Sequence, residues 1–212
     1  MKTRMRRKQE RPGEILEAAF EEFAEHGFAA TRLEDVASRA GVTKGTIYFY
    51  FETKERLFGE MIRHFSALLL AEVDEFLAKP SESHKERLSN FIRFVYRRFA
   101  LDRKGREILR FMVADGKHFP GLVARHYADF VAPSLQRVNE LVQMGIAAGE
   151  FRETPAARFG EIIMGPAVLL GIWFLVFTGQ REIDVEAFVN GHIDLLLDGL
   201  SVTPLNGASP PP

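Results

Sequence analysis

Residues Leu33 to Glu52, LEDVASRAGVTKGTIYFYFE, decide the fold. Val36, Ala37 and Ala40 are spaced i, i+1, i+4, which puts them on one helical face. Gly41 suits a tight turn whose backbone needs positive φ. Val42, Ile47 and Tyr50 then hold a second helix against the first, and small Ala37 sits where the two must cross closely. The pattern is a helix-turn-helix. It leaves Thr43, Lys44, Gly45, Thr46, Tyr48 and Phe49 facing outward. A short exposed helix with hydroxyls, one Lys and a Tyr fits a DNA major groove. A plain corner in an α-helical core shares the bare Ala-x-x-x-Gly-Val spacing; the whole pattern with its downstream tail favours DNA.

Upstream lies local charge. Residues 1–11 hold Lys2, Arg4, Arg6, Arg7, Lys8 and Arg11 against Glu10 alone and read as a basic flexible arm. The whole chain is nearly neutral, with 28 basic and 29 acidic residues, so polyanion binding must rest on such local patches. Pro12 suits a first helical turn. Ile15, Leu16, Ala19, Phe20, Phe23 and Ala24 continue at helical spacing up to Gly27. Thr31 with Glu34 forms a capping-box pattern for the next helix. Thr43 and Thr53 can cap the third and fourth, and the fourth runs long, to about Ala78. Residues 12–58 therefore form the candidate DNA-binding domain.

Downstream, residues 59–200 read as further amphipathic helices and 201–212 as a Pro-rich disordered tail. Pro133 predicts a kink or break inside a run from Leu122 to about Gly149. Thr154-Pro155 opens a helix expected to reach Gly179, and Asp184 caps a last one ending at Gly199. No strand or repeat is evident. The expected fold is all-α with about nine helices. Ile162 to Gln180 carries no charge over 19 residues, a marginal membrane span by length. Gly165, Pro166 and Gly171 interrupt it, and a helix covered on two sides by its own domain and a partner subunit reads equally apolar. The N-terminus has no apolar signal core, so the expected location is cytoplasmic, at the nucleoid when DNA is bound.

The residues Ala18-Ala19-Phe20, Phe23, Gly27, Thr31, Val36-Ala37, Ala40-Gly41-Val42, Gly45-Thr46-Ile47-Tyr48, Tyr50-Phe51, Lys54 and Leu57 together resemble the TetR/AcrR family of bacterial transcriptional regulators. Lys-Gly-Thr-Ile-Tyr-x-Tyr-Phe-x-x-Lys is the most specific part. The likeness covers roughly residues 12–60. Position 49 is Phe where many relatives carry His or another polar residue. The resemblance implies phosphate contacts by Tyr48 and Lys54, a variable ligand domain, and dimerisation through the two C-terminal helices. Repression is the commonest outcome in that family. Thr31 and Arg32 of the second helix are candidates for further backbone contacts.

One recognition helix reads only a few base pairs, so a two-fold dimer on a palindromic operator is expected. Gly165, Leu169, Trp173 and Phe177 lie four residues apart along one stripe, and Phe188, His192, Leu195 and Leu196 supply the second helix of the candidate interface. The chain holds 19 Phe, enough for a thick core or an apolar cavity. Phe65, Leu69, Phe91, Val95 and Phe99 are candidate pocket residues on the earlier helices. Phe111, Met112, Tyr127, Phe130, Val131 and Met164 are candidates on the later ones. Asn90, Asp115, Tyr127 and Ser134 could add polar contacts. The expected effector is a small apolar or aromatic molecule. Any one of these residues is more often plain core than pocket.

Enzyme chemistry finds no footing. There is no Cys, hence no disulfide, thiol nucleophile or Cys-ligated zinc. The six His make no His-Glu-x-x-His, and no phosphate-binding Gly loop occurs. No cofactor and no metal are expected. An α-helical adaptor whose helix-turn-helix no longer binds DNA is the alternative to a regulator.

Overall fold

The computed structural model describes the backbone of residues 2–201 and the side chains of residues 11–201. Ten α-helices occur among them: α1 (Lys2–Ala30), α2 (Leu33–Arg39), α3 (Lys44–Phe51), α4 (Lys54–Leu77), α5 (His84–Val95), α6 (Arg103–Asp115), α7 (Pro120–His126), α8 (Ala132–Ala147), α9 (Gly160–Val176) and α10 (Val185–Leu200). Short 3-10 turns cover Gly116–His118 and Pro155–Arg158, and π-helical segments cover Tyr96–Leu101 and Tyr127–Val131. The all-α expectation holds, and the only β pairing among the described residues is an isolated bridge between Phe151 and Ser201. Two compact units emerge.

The first unit comprises the chain up to Leu68 together with Phe111–Asp129. This unit runs past the border expected at residue 58 and takes in a later segment. The apolar face of α1 is closed to solvent: Ile15, Ala19, Phe20 and Phe23 have no exposed surface. Their partners are rings. Phe20 meets Phe65 at 4.9 Å, Phe23 meets Phe58 at 4.9 Å, and Phe58 meets Phe111 at 5.3 Å, all edge-on. Each fully buried Phe stabilises the unit by about 1.5–3 kcal/mol. Residues 2–10, expected as a flexible arm, are helical in backbone and continuous with α1. Lys and Arg are good helix formers, and Pro12 removes one backbone donor without ending the helix. A break falls instead at Gly27, with φ +74°.

The second unit comprises Leu69–Arg110 and the chain from Phe130 onward. Its core gathers Leu88 and Val95 of α5, Leu141 and Val142 of α8, Ile163 of α9 and Ile193 of α10. Gly145 is a point of close approach: a Cβ there would fall 2.1 Å from the Phe151 ring, itself 2% exposed. Glu150 closes the N-terminus of α5, accepting from the amides of His84 (3.0 Å) and Lys85 (3.1 Å) and pairing with His84 Nδ1 at 2.8 Å. These bonds hold the Glu150 carboxyl down at about 2. Ser83 caps the same helix by accepting from the Glu86 amide. The expected interruption near Pro133 is a π-helical segment ending at Val131, with Pro133 in the first turn of α8.

The uncharged helix is shorter than expected. Thr154 caps only the 3-10 turn, and α9 starts at Gly160 with Glu161 in its first turn. Among the described residues no helix is long and apolar enough to cross a membrane. The last helix follows the expectation, with Asp184 accepting from the Ala187 amide at 3.0 Å. The tail from Val202 lies outside the described residues.

Candidate nucleic-acid interface

The turn between α2 and α3 is built as its sequence requires. Gly41 takes φ +62°, a conformation that costs a side chain about 1–2 kcal/mol. Val36 and Ala37 of α2 and Ile47 and Phe51 of α3 are buried, so α3 is anchored along one side. Arg39 ties α2 to α1, donating to Glu22 at 2.6 Å and Glu25 at 2.8 Å. The scaffold is thus cross-linked before any ligand arrives.

The outward side of α3 holds Thr43, Lys44, Gly45, Thr46, Tyr48 and Phe49 together, as its spacing predicts. Tyr48 is 44% and Phe49 73% exposed. Thr43 caps the helix, accepting from the Thr46 amide at 3.2 Å, and the two hydroxyls share a 2.9 Å hydrogen bond. Lys44 is ion-paired with Glu34 of α2, and its ammonium lies 5.6 Å from the centre of the Tyr48 ring. The hydrogen bond from Lys44 lowers the Glu34 carboxyl pKa, and the same bond raises that of Lys44. Phe49 is braced edge-on against Tyr50 at 5.1 Å. Glu34 was not foreseen as part of this surface, because ten residues separate it from Lys44 and no local pattern links them.

Two expected contacts are committed elsewhere. Thr31, 3% exposed, does not cap α2; its hydroxyl donates to the Gly27 carbonyl at 2.7 Å, with the Glu22 carbonyl at 3.0 Å. Lys54 donates to the carbonyls of Phe28 (2.7 Å), Ala29 (3.1 Å) and Thr31 (2.9 Å). The end of α1 leaves carbonyls without helical partners, and a cation is the natural donor for them. Arg32 stands at the exposed start of α2. The side chains of Lys2 to Lys8 lie outside those described.

The expected pocket residues divide between the two units. Phe65, Phe111, Met112, Asp115 and Tyr127 belong to the first unit, the others to the second. Phe65 and Phe111 are core rings, and Tyr127 is 56% exposed. Leu69, Phe91 and Val95 are closed core, while half-buried Met164 packs against it. Phe99 and Phe130 pair at 5.8 Å from the two π-helical segments. Half-buried Val131 follows, and Ser134 is buried with its hydroxyl unpartnered. Two clefts in the second unit open elsewhere. One of about 700 Å³ is lined by Phe76, Arg87, Asn90, Phe94 and Arg97 among others; one of about 380 Å³ lies by Asp74, Gln136 and Arg137. Asn90 alone of the expected polar contacts lines either. Apolar helical periodicity marks a buried face without saying what covers it, so pocket and core look alike in sequence.

The C-terminal helices carry exposed apolar surface. Leu169 is 58%, Phe177 43% and Leu195 78% exposed, whereas Leu196 is 9% exposed and faces the core. Gly165, Trp173, Phe188 and His192 are half-buried; Trp173 packs on Phe177 at 4.8 Å, and His192 Nδ1 lies 3.0 Å from the Tyr96 hydroxyl. Ile162 (53%) and Val176 (63%) extend the exposed surface beyond the expected stripe. No group of three or more His, Asp or Glu among the described residues could hold a metal ion.

Comparison with known proteins agrees with this geometry. Residues 15–61 match the model of bacterial regulatory proteins, tetR family. The Probable acrEF/envCD operon repressor of Escherichia coli K12 is 50% identical over 48 residues, 23% of this chain and only 22% of that protein's length. The fatty acid metabolism regulator protein of Bacillus subtilis is 24% identical over 215 residues, covering 91% of this chain and 98% of its own. Among solved structures, a candidate TetR-family transcriptional regulator from Mesorhizobium loti superposes with TM-score 0.78 at 20% identity, over 92% of this chain and 99% of that one. Bacillus subtilis FadR in complex with stearoyl-CoA gives TM-score 0.71 at 22% identity, over 88% and 97%.

Proposed function

We propose that this chain, whose N-terminal residues match the tetR family and whose fold is like that of a TetR-family regulator, works as a dimeric transcriptional repressor. It would bind a palindromic operator and be released by a small apolar or aromatic molecule. The observation that carries the reading is α3: anchored through Ile47 and Phe51, with Tyr48 and Phe49 presented to solvent. Two adjacent rings exposed on one short anchored helix form an apolar patch of the kind that marks an interaction site.

Two further features support the assembly. Leu169 and Leu195 expose apolar surface on α9 and α10, where a second copy would bury it and hold two α3 helices at fixed spacing. One relative that spans nearly the whole chain is a fatty acid metabolism regulator, and a structural neighbour holds stearoyl-CoA. An acyl chain or its thioester is therefore the first effector to try. Such a ligand must bind the operator-competent and released states unequally, or it shifts nothing.

The test is a gel shift on the promoter beside the protein's own gene at low salt, with acyl-CoA titrated in. Retardation that the ligand reverses is expected. Absence of retardation at low salt would favour the adaptor alternative. Binding of acyl-CoA with unchanged operator affinity would remove the effector from the mechanism.

A further inference from the structure

We propose that Phe49 reads the 5-methyl group of a thymine in the operator, making apolar contact rather than hydrogen bonding a determinant of sequence preference. The inference rests on the DNA-binding reading above. Three of the polar side chains at the start of α3 are already engaged, while Tyr48 keeps an exposed ring beside them. The hydroxyls of Thr43 and Thr46 bond to each other, and the Lys44 ammonium is paired with Glu34. Phe49 is the most exposed large apolar residue of the helix, at 73%, and its ring is steadied by Tyr50. A phenyl ring can neither donate nor accept a conventional hydrogen bond to a base edge. In the major groove every base presents polar atoms, and the one methyl group among them is that of thymine. Against A, G or C the same ring would strip water from donors and acceptors and leave them unpaired, which is costly. Phe49 thus favours thymine by attraction and disfavours the other bases by desolvation.

The test uses the full chain and duplexes that it enriches from a random-sequence pool. Each thymine is then replaced in turn by deoxyuridine, which keeps base pairing and deletes only the methyl. One position per half-site should weaken binding about fourfold, the worth of one buried methyl. That penalty should vanish in Phe49→Ala and persist in Phe49→Leu, which keeps an apolar side chain of similar reach. Deoxyuridine tolerated at every position, or an undiminished penalty in Phe49→Ala, overturns the proposal while leaving DNA binding intact. Failure to enrich any duplex overturns the DNA-binding reading itself.

Discussion

Lys54 meets Phe28 twice: its ammonium donates to the Phe28 carbonyl at 2.7 Å and lies 4.5 Å from the centre of the Phe28 ring. With the Ala29 and Thr31 carbonyls it closes the frayed end of α1 onto the start of α4. The residue the family resemblance assigns to phosphate is thus a clasp within the first unit. Lys54→Met should cost about 2 kcal/mol of stability, the usual worth of hydrogen bonds to a charged group. Denaturant titration measures it. The salt slope of DNA binding should stay unchanged; a slope reduced by about one would restore the phosphate role.

Lys44 is the only Lys or Arg between Val42 and Phe51, and Glu34 holds it. A phosphate must displace that carboxylate to use the lysine. Glu34→Gln should therefore tighten binding and steepen its salt dependence, because one more counterion is released. Weaker binding by the variant would show that Glu34 positions Lys44 rather than competing for it.

The Glu150 carboxyl, held at about 2 against an ordinary 4.5, makes stability depend on acid. Its folded-state value is depressed, so the contribution is whole above about 4.5 and drains away as pH falls toward about 2. Melting temperatures taken across that window should fall less steeply in Glu150→Gln than in the unaltered chain. Parallel curves would show that the carboxylate at the α5 N-terminus contributes nothing.

Gly145 and Phe151 leave no room for a methyl between them, since a Cβ would sit 2.1 Å from the ring. Gly145→Ala should destabilise the second unit by about 1–3 kcal/mol, the usual cost of overpacking. Helical propensity alone would favour Ala by about 1 kcal/mol, so a stabilised variant would mean that the ring moves aside freely.

Leu195, 78% exposed on α10, should matter to assembly and little to the fold of one chain. Leu195→Glu is expected to elute as a monomer on a sizing column with an unaltered melting profile at matched dilute concentration. A variant that remains dimeric would move the interface off this face.

Much of the fold was legible because its signals are local. The Val36–Ala37–Ala40 face, the turn at Gly41 and the Thr43 cap lie within a few residues of each other and obey helical periodicity. The caps at Ser83 and Asp184 follow the same rule. Local pattern was therefore enough to specify an all-α chain with an anchored, outward-facing α3 and an apolar C-terminal helix pair. Pairings that cross long separations arise only once the helices pack. Lys54 reaches carbonyls more than twenty residues back, Lys44 finds Glu34, and Phe111 returns to the first unit beside Phe58. The same holds for the Phe-rich middle, where the neighbours of buried Phe65, Phe91 and Phe111 come from other helices. Periodicity states which side of a helix avoids water, whereas the packing of other helices on that side determines whether it becomes core, pocket or interface.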